Sequence, residues 1–277
     1  MRQHRFIGYR NFLYLKLCAG LVALCGLAYL IDAPPTGAHG GTALGYTLGV
    51  LAAAIVLVLA WFGVRKRQYG NAPGTLLGWL SAHVYLGMAL VVVATLHSGF
   101  ELGWNVHTLS YVLMLGVVGS GFYGVVAYLR YPAMLTEALG EESFDTLLIK
   151  IADLDDEARR MALQLPDEIN RLVLAAAQET RIGGGLLRQL SGRQRACPTT
   201  LAVQRLQELG GSLGKSEAQL NRDLYLAMVR KQALVQRARE EVMYRARMRF
   251  WLYLHVPLSL AMLAALVAHV VSVFFYW

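Results

Sequence analysis

Five apolar stretches, each close to the length that crosses a lipid bilayer, alternate with polar segments along the chain. They cover residues 12–31, 43–64, 76–99, 107–129 and 250–277. Runs of about 20 apolar residues are typical of transmembrane helices. We therefore predict an all-α integral membrane bundle of five transmembrane helices. A polar segment with helical periodicity separates the fourth span from the fifth and is long enough for a small domain.

This pattern divides the chain into three segments. Residues 1–130 form a four-helix transmembrane part, residues 131–248 a cytoplasmic helical insertion, and residues 249–277 the fifth transmembrane helix, which completes the bundle. The composition is typical of a membrane protein, since 56% of the 277 residues are hydrophobic and only 16% are charged. The first apolar stretch is too long for a cleaved leader, so we expect it to be retained. The first two spans are interpreted as scaffold.

The basic residues fall on one side of this five-span topology. All 26 Lys and Arg lie in the N-terminal tail and the start of the first span, at positions 65–67, or in the polar segment. Because cytoplasmic loops carry the excess of Lys and Arg, we predict a multi-pass protein of the bacterial inner membrane. Its N-terminus is then cytoplasmic and its C-terminus periplasmic. Anionic membrane lipid, and not nucleic acid, is the partner that explains the net charge of +8.

Two of the predicted spans carry histidine pairs at the same spacing. His83 and His97 lie fourteen residues apart in the third span, and His255 and His269 are equally spaced in the fifth. A helix turns about 100° per residue, so both histidines of a pair face one way, about 21 Å apart. In parallel spans, His83 meets His255 near the inner face and His97 meets His269 near the outer face. Facing imidazoles suit axial ligation of two b-type haems.

Other kinds of functional site have less support in the sequence than haem. Metal transport is disfavoured because the predicted spans carry no Asp or Glu. The three cysteines form no CxxC motif, so the sequence contains neither a zinc ribbon nor a c-type haem attachment site. The glycine run at 183–185 matches neither a P-loop nor a dinucleotide-binding loop. His107, which opens the fourth span, leaves four roles open. It is an interfacial side chain, a haem propionate partner, a ligand in place of His97, or part of a quinone site.

On the two histidine pairs, the membrane part resembles the dihaem b-type membrane cytochromes. In layout it is similar to the transmembrane domain of the ferric reductase and NADPH oxidase family, whose third and fifth helices each present a histidine pair about one bilayer apart. The resemblance implies two b-type haems, with His83, His97, His255 and His269 as axial ligands of the iron. It does not extend to the family's flavin and nicotinamide domains, to its sixth helix, or to the polar insertion of this chain.

These observations together predict an electron-transfer subunit of a larger oxidoreductase system. Electrons would move across the membrane between a quinol or other cytoplasmic-side donor and a periplasmic cytochrome or reductase subunit. The alternative is a membrane anchor or sensor in which residues 131–248 bind a cytoplasmic partner and haem is structural or regulatory. The Arg-rich stretch 215–249 is interpreted first as a contact with lipid headgroups and second as a docking face for that partner.

Overall fold

The computed structural model describes residues 6–32, 34, 37, 39–67, 74–140, 142–192, 194, 196–211 and 213–276. Throughout this part of the chain the secondary structure is all α-helical, and five helices are long and apolar enough to cross a membrane. The prediction of a five-span helical bundle with a helical insertion before the last span is therefore confirmed. Four of the basic residues counted above lie outside the described residues: Arg2, Arg5, Arg193 and Arg195.

The helices form two compact units. The membrane unit consists of Met1–Leu129 and Trp251–Trp277, and the polar unit consists of Arg130–Phe250. In chain order the helices are α1 (Leu13–Ile31), α2 (Ala43–Arg65), α3 (Leu76–Ser98), α4 (Val106–Leu139), α5 (Phe144–Ala162), α6 (Asp167–Glu179), α7 (Leu186–Ser191), α8 (Pro198–Leu209) and α9 (Lys215–Tyr276).

Two helix boundaries differ from the apolar pattern. The fourth span was predicted to end at residue 129, but α4 continues through Pro132 to Leu139. The apolar run stops at the charged residue Arg130. A charged side chain makes a helix less hydrophobic but leaves its backbone hydrogen bonds intact, so the helix itself continues. The fifth span is the C-terminal part of α9, which runs for 62 residues with Pro257 inside it. The helix continues without a break into the span because the sequence from 215 to 249 has no glycine or proline to stop it.

Threonine side chains start two of the membrane helices. The Thr42 hydroxyl accepts from the backbone N–H of Gly45 at 3.0 Å, and this bond caps α2. The Thr75 hydroxyl accepts from the N–H of Gly78 at 3.1 Å and caps α3. Each bond satisfies a first-turn donor that has no partner within its helix. Both helix starts are therefore fixed locally, which also fixes the register of the side chains that follow.

All five membrane helices contribute to one core in the membrane unit. Its buried members include Cys25, Leu48, Ile55, Leu90, Val93, Met114 and Met262. At Gly124 of α4, an added Cβ would lie 2.2 Å from Cζ2 of Trp251, so the indole ring lies directly against the helix backbone. The Trp251 Nε1–H also donates to the carbonyl of Ser120 at 2.7 Å. These contacts fix α4 against the C-terminal part of α9 at van der Waals distance.

The polar unit has a separate core and a buried ion pair. Residues of α5, α6, α8 and α9 form the core, among them Ala158, Ile169, Val173, Leu206 and Met228. Lys231 of α9 is 1% exposed; its ammonium group pairs with Asp155 and donates to the carbonyl of Ala176 at 2.7 Å. A charge removed from water is tolerated only when it is paired and hydrogen-bonded, and these two partners meet that condition.

Candidate functional site

Three histidine side chains from three helices meet at one end of the membrane unit. His97 lies in the last turn of α3, His107 in the first turn of α4, and His269 on α9. The ring centroids of His97 and His269 are 6.0 Å apart. Those of His107 and His269 are 4.4 Å apart, and their Nδ1 atoms are separated by 2.6 Å. The structure thus brings the predicted outer pair together and adds His107 to it.

The backbone of α2 holds the ring of His97 from the other side. The Nδ1 atom of His97 lies 2.7 Å from the carbonyl oxygen of Gly45. A carbonyl oxygen only accepts, so Nδ1 carries the proton and donates, and Nε2 keeps its lone pair. An added Cβ at Gly49 would lie 2.6 Å from Cε1 of His97, which only glycine avoids. The helix α2, which the sequence indicated as scaffold, therefore orients a histidine of the candidate site through its backbone.

The sequence contains a pattern that is typical of such a contact between α2 and His97, although the contact was not predicted. Gly45 and Gly49 form a G-x-x-x-G spacing, which places two residues without side chains on one face of α2. In membrane helices such a face allows a neighbouring helix to approach closely. The approaching group here includes the imidazole of His97. A search of each span for glycine faces, in addition to ionisable residues, would have marked α2 as a candidate neighbour of the site.

Gly49→Ala is expected to destabilise the membrane unit by about 1–3 kcal/mol, because the new methyl group would overlap the His97 ring. Gly63→Ala in the same helix is the matched control, since no atom lies within 4 Å of its added Cβ. In a lipid-exposed helix position that change is expected to be neutral or slightly stabilising. The measurement is unfolding of the two purified variants in mixed micelles with increasing SDS. Equal stability of the two variants would contradict the close contact between α2 and His97.

The second histidine pair, His83 and His255, lies on the same two helices, α3 and α9. His83 of α3 stacks against Phe62 of α2 with ring centroids 4.9 Å apart. Among the residues that the structure describes, the Nδ1 atom of His83 is buried without a hydrogen-bond partner. One ring nitrogen of His83 is therefore without a protein partner, and the pairing of His83 with His255 stays a prediction.

Ser120 of α4 orients the ring of His255. Its hydroxyl donates to the carbonyl of Val117 at 2.7 Å and lies 2.8 Å from Nδ1 of His255. Because the single hydroxyl proton is used toward Val117, the oxygen accepts from Nδ1–H of His255, and the Nε2 atom of His255 keeps its lone pair. No pattern in the sequence marks Ser120 as a histidine partner. It lies in a glycine-rich stretch, and its role follows only from the packing of α4 against α9.

The distances between rings distinguish the pairs that can share a metal from those that cannot. Imidazole nitrogens bind first-row metals at about 2.0 Å, which places two ring centroids on opposite sides of the metal roughly 6 Å apart. The His97–His269 separation of 6.0 Å fits this requirement, and the His107–His269 separation of 4.4 Å is too short for it. Among the described rings, the His97–His269 pair therefore has the separation that two imidazoles binding one metal from opposite sides require.

Bare metal chemistry finds less support. In the described ranges, no group of three or more His, Cys, Asp or Glu side chains has the geometry to hold a metal ion. The three cysteines are buried and form no disulfide with one another. The site therefore offers one facing pair of imidazoles, His97 and His269, and an unpaired ring nitrogen on His83.

The fold defines the class of the protein as a multi-pass helical membrane protein with five candidate spans. Comparisons with protein families, with curated proteins and with solved structures each give no match for this chain. The resemblance to the ferric reductase and NADPH oxidase transmembrane domain therefore stays a prediction, which rests on the two histidine pairs.

Proposed function

We propose that the chain is a dihaem b-type cytochrome that carries electrons across the bacterial inner membrane. The donor is a quinol or another reductant on the cytoplasmic side, and the acceptor is a periplasmic cytochrome or reductase subunit. The observation that carries the proposal is the separation of His97 and His269, which is that of two imidazoles on opposite sides of one metal. The inner pair, fourteen residues away on the same two helices, supports a second haem.

The protein orients the histidine rings and excludes water from the space between the two proposed haems. The carbonyl of Gly45 and the hydroxyl of Ser120 fix two of the four rings so that Nε2 is available as ligand. Leu90, Val93 and Met262 lie between the depths of the two pairs and are 2%, 0% and 8% exposed. These side chains exclude water from the space between the sites and keep its dielectric low. When bound, haem iron supplies the one-electron chemistry.

The bias of Lys and Arg supports the proposed direction across the membrane. The N-terminal tail, the positions 65–67 and the polar unit carry all the basic charge, whereas the segments 32–42 and 100–106 carry none. Cytoplasmic segments carry that excess in inner-membrane proteins. The outer cluster of His97, His107 and His269 then lies near the periplasmic surface, within reach of a periplasmic partner.

The test is haem content followed by electron transfer. The purified chain is expected to contain about two b-type haems in a pyridine haemochrome assay. In proteoliposomes, a reduced quinol analogue should reduce them, and a soluble oxidant confined to the outer-cluster side should reoxidise them. A chain that binds no haem after expression with added haem precursor would refute the proposal.

A membrane anchor or sensor is the second candidate, and one observation favours it. The polar unit has its own buried core, and α7 exposes Leu187 at 82% beside Arg188. An apolar side chain at this exposure next to a charge is typical of a contact with a partner or a lipid surface. Haem that is present but is neither reduced by quinols nor oxidised by periplasmic acceptors would favour this function over electron transfer.

A further inference from the structure

We infer that His107 is a positioning residue, which holds the ring of His269 in the one tautomer that leaves Nε2 free as ligand. The inference rests on the proposed function and replaces the four roles that the sequence left open for His107. It is carried by the hydrogen bond between the two Nδ1 atoms, which are 2.6 Å apart.

The tautomers follow from the chemistry of this bond. A neutral imidazole has one N–H and one lone pair, so one of the two Nδ1 atoms donates and the other accepts. A histidine that binds metal through Nε2 carries its proton on Nδ1. His269 is therefore the donor and His107 the acceptor. In the reverse arrangement, the proton of His269 would lie on Nε2 and no lone pair would remain for the iron.

The start of α4 places the His107 ring. The Asn105 side chain accepts from the backbone N–H of Thr108 at 2.9 Å, and the Thr108 hydroxyl accepts from the N–H of Gly103 at 3.0 Å. These bonds fix the backbone on both sides of His107, as helix N-terminal caps do. The ring planes of His107 and His269 lie at 88° to each other, and their Nδ1 atoms are within hydrogen-bond distance.

The Nδ1–H groups of three proposed ligand rings donate to three different kinds of acceptor. His97 donates to a backbone carbonyl and His255 to a hydroxyl, whereas His269 donates to a second imidazole. An imidazole nitrogen is the strongest base of the three. It withdraws the Nδ1 proton furthest and makes the Nε2 of His269 a more basic ligand. More basic axial ligands stabilise ferric iron, so this bond lowers the midpoint potential of the outer haem relative to a site without it.

The experiment compares His107→Leu, which removes the acceptor, with His107→Asn, whose Oδ1 lies on the same Cγ atom as the lost Nδ1. In the Leu variant, haem affinity at one of two sites is expected to fall roughly ten- to a hundredfold. The midpoint potential of that site should rise, and its low-spin electron paramagnetic resonance signal should shift. The Asn variant should restore most of each change. Leu109→Ala, at an exposed position two residues further on, should alter none of them.

Three outcomes would overturn the inference in different ways. Two haems with unchanged potentials and spectra in His107→Leu would refute the positioning role and leave the proposed function standing. Loss of one haem at saturating haem in His107→Leu, with both retained in His97→Ala, would make His107 itself the ligand. Absence of haem from the wild-type chain would refute the proposed function and the positioning role together.

Discussion

His269→Ala is expected to reduce the haem content from about two per chain to about one, because the proposed outer haem would lose one of its two histidine ligands. The remaining haem should keep the spectrum of the inner site. The measurement is a pyridine haemochrome assay on protein quantified by amino-acid analysis.

Ser272→Ala is the matched control for this prediction. Ser272 lies one turn further along α9, and its hydroxyl donates to the backbone carbonyl of His269 at 2.8 Å. The control therefore disturbs the same turn of the helix without removing a ring nitrogen. It should retain about two haems.

The two sites are expected to respond independently. Their ligands lie about 21 Å apart along the helices, and effects of substitutions at such distances usually add. His255→Ala should therefore leave only the outer haem, and the double variant His255→Ala with His269→Ala should bind none. Retention of two haems in either single variant would contradict the assignment of the axial ligands.

Lys231→Ala is expected to destabilise the polar unit by about 3–5 kcal/mol, because it removes one partner of a buried ion pair. Asp155 is 14% exposed in its side chain and would keep its charge without a counterion, and the carbonyl of Ala176 would lose its donor. The change also leaves a cavity where the aliphatic part of the lysine was packed. The measurement is pulse proteolysis of the full chain in detergent at increasing urea concentration, followed at cleavage sites in the polar unit.

An exposed ion pair of the same unit supplies the comparison. Arg205 and Glu208 lie 2.9 Å apart with side chains 57% and 63% exposed. Pairs at this exposure contribute about 0–1 kcal/mol, so Arg205→Ala should shift the midpoint little. A shift in Lys231→Ala no larger than that of Arg205→Ala would show that the buried pair does not stabilise the unit.

The sequence predicted the helices and the two histidine pairs because both are properties of a single helix. Apolar length determines whether a helix can span a bilayer, and a fourteen-residue spacing determines that two side chains share a face. Neither depends on how the helices pack. Pairing His83 with His255 and His97 with His269 needed only one further assumption, that α3 and the last span run in the same direction.

Contacts of the ligand rings depend on tertiary packing and were not predicted. The bond from His255 to Ser120 requires a particular rotation of α4 against α9, and the bond from His269 to His107 also requires a particular depth. Rotation and depth are set by side-chain interlocking such as that of Trp251 over Gly124. Hydrophobic periodicity does not predict the rotation or the depth of a helix, because every face of a lipid-exposed helix is apolar.

The long separation in sequence between His107 and His269 has a consequence for biosynthesis. The two residues are 162 positions apart, and translation proceeds at about 5–20 residues per second. For roughly 8–32 s, a nascent chain therefore holds His83, His97 and His107 in the membrane before the last helix is made. Synthesis of the last helix, more than insertion of the first four helices, would then determine when the proposed outer haem can be captured.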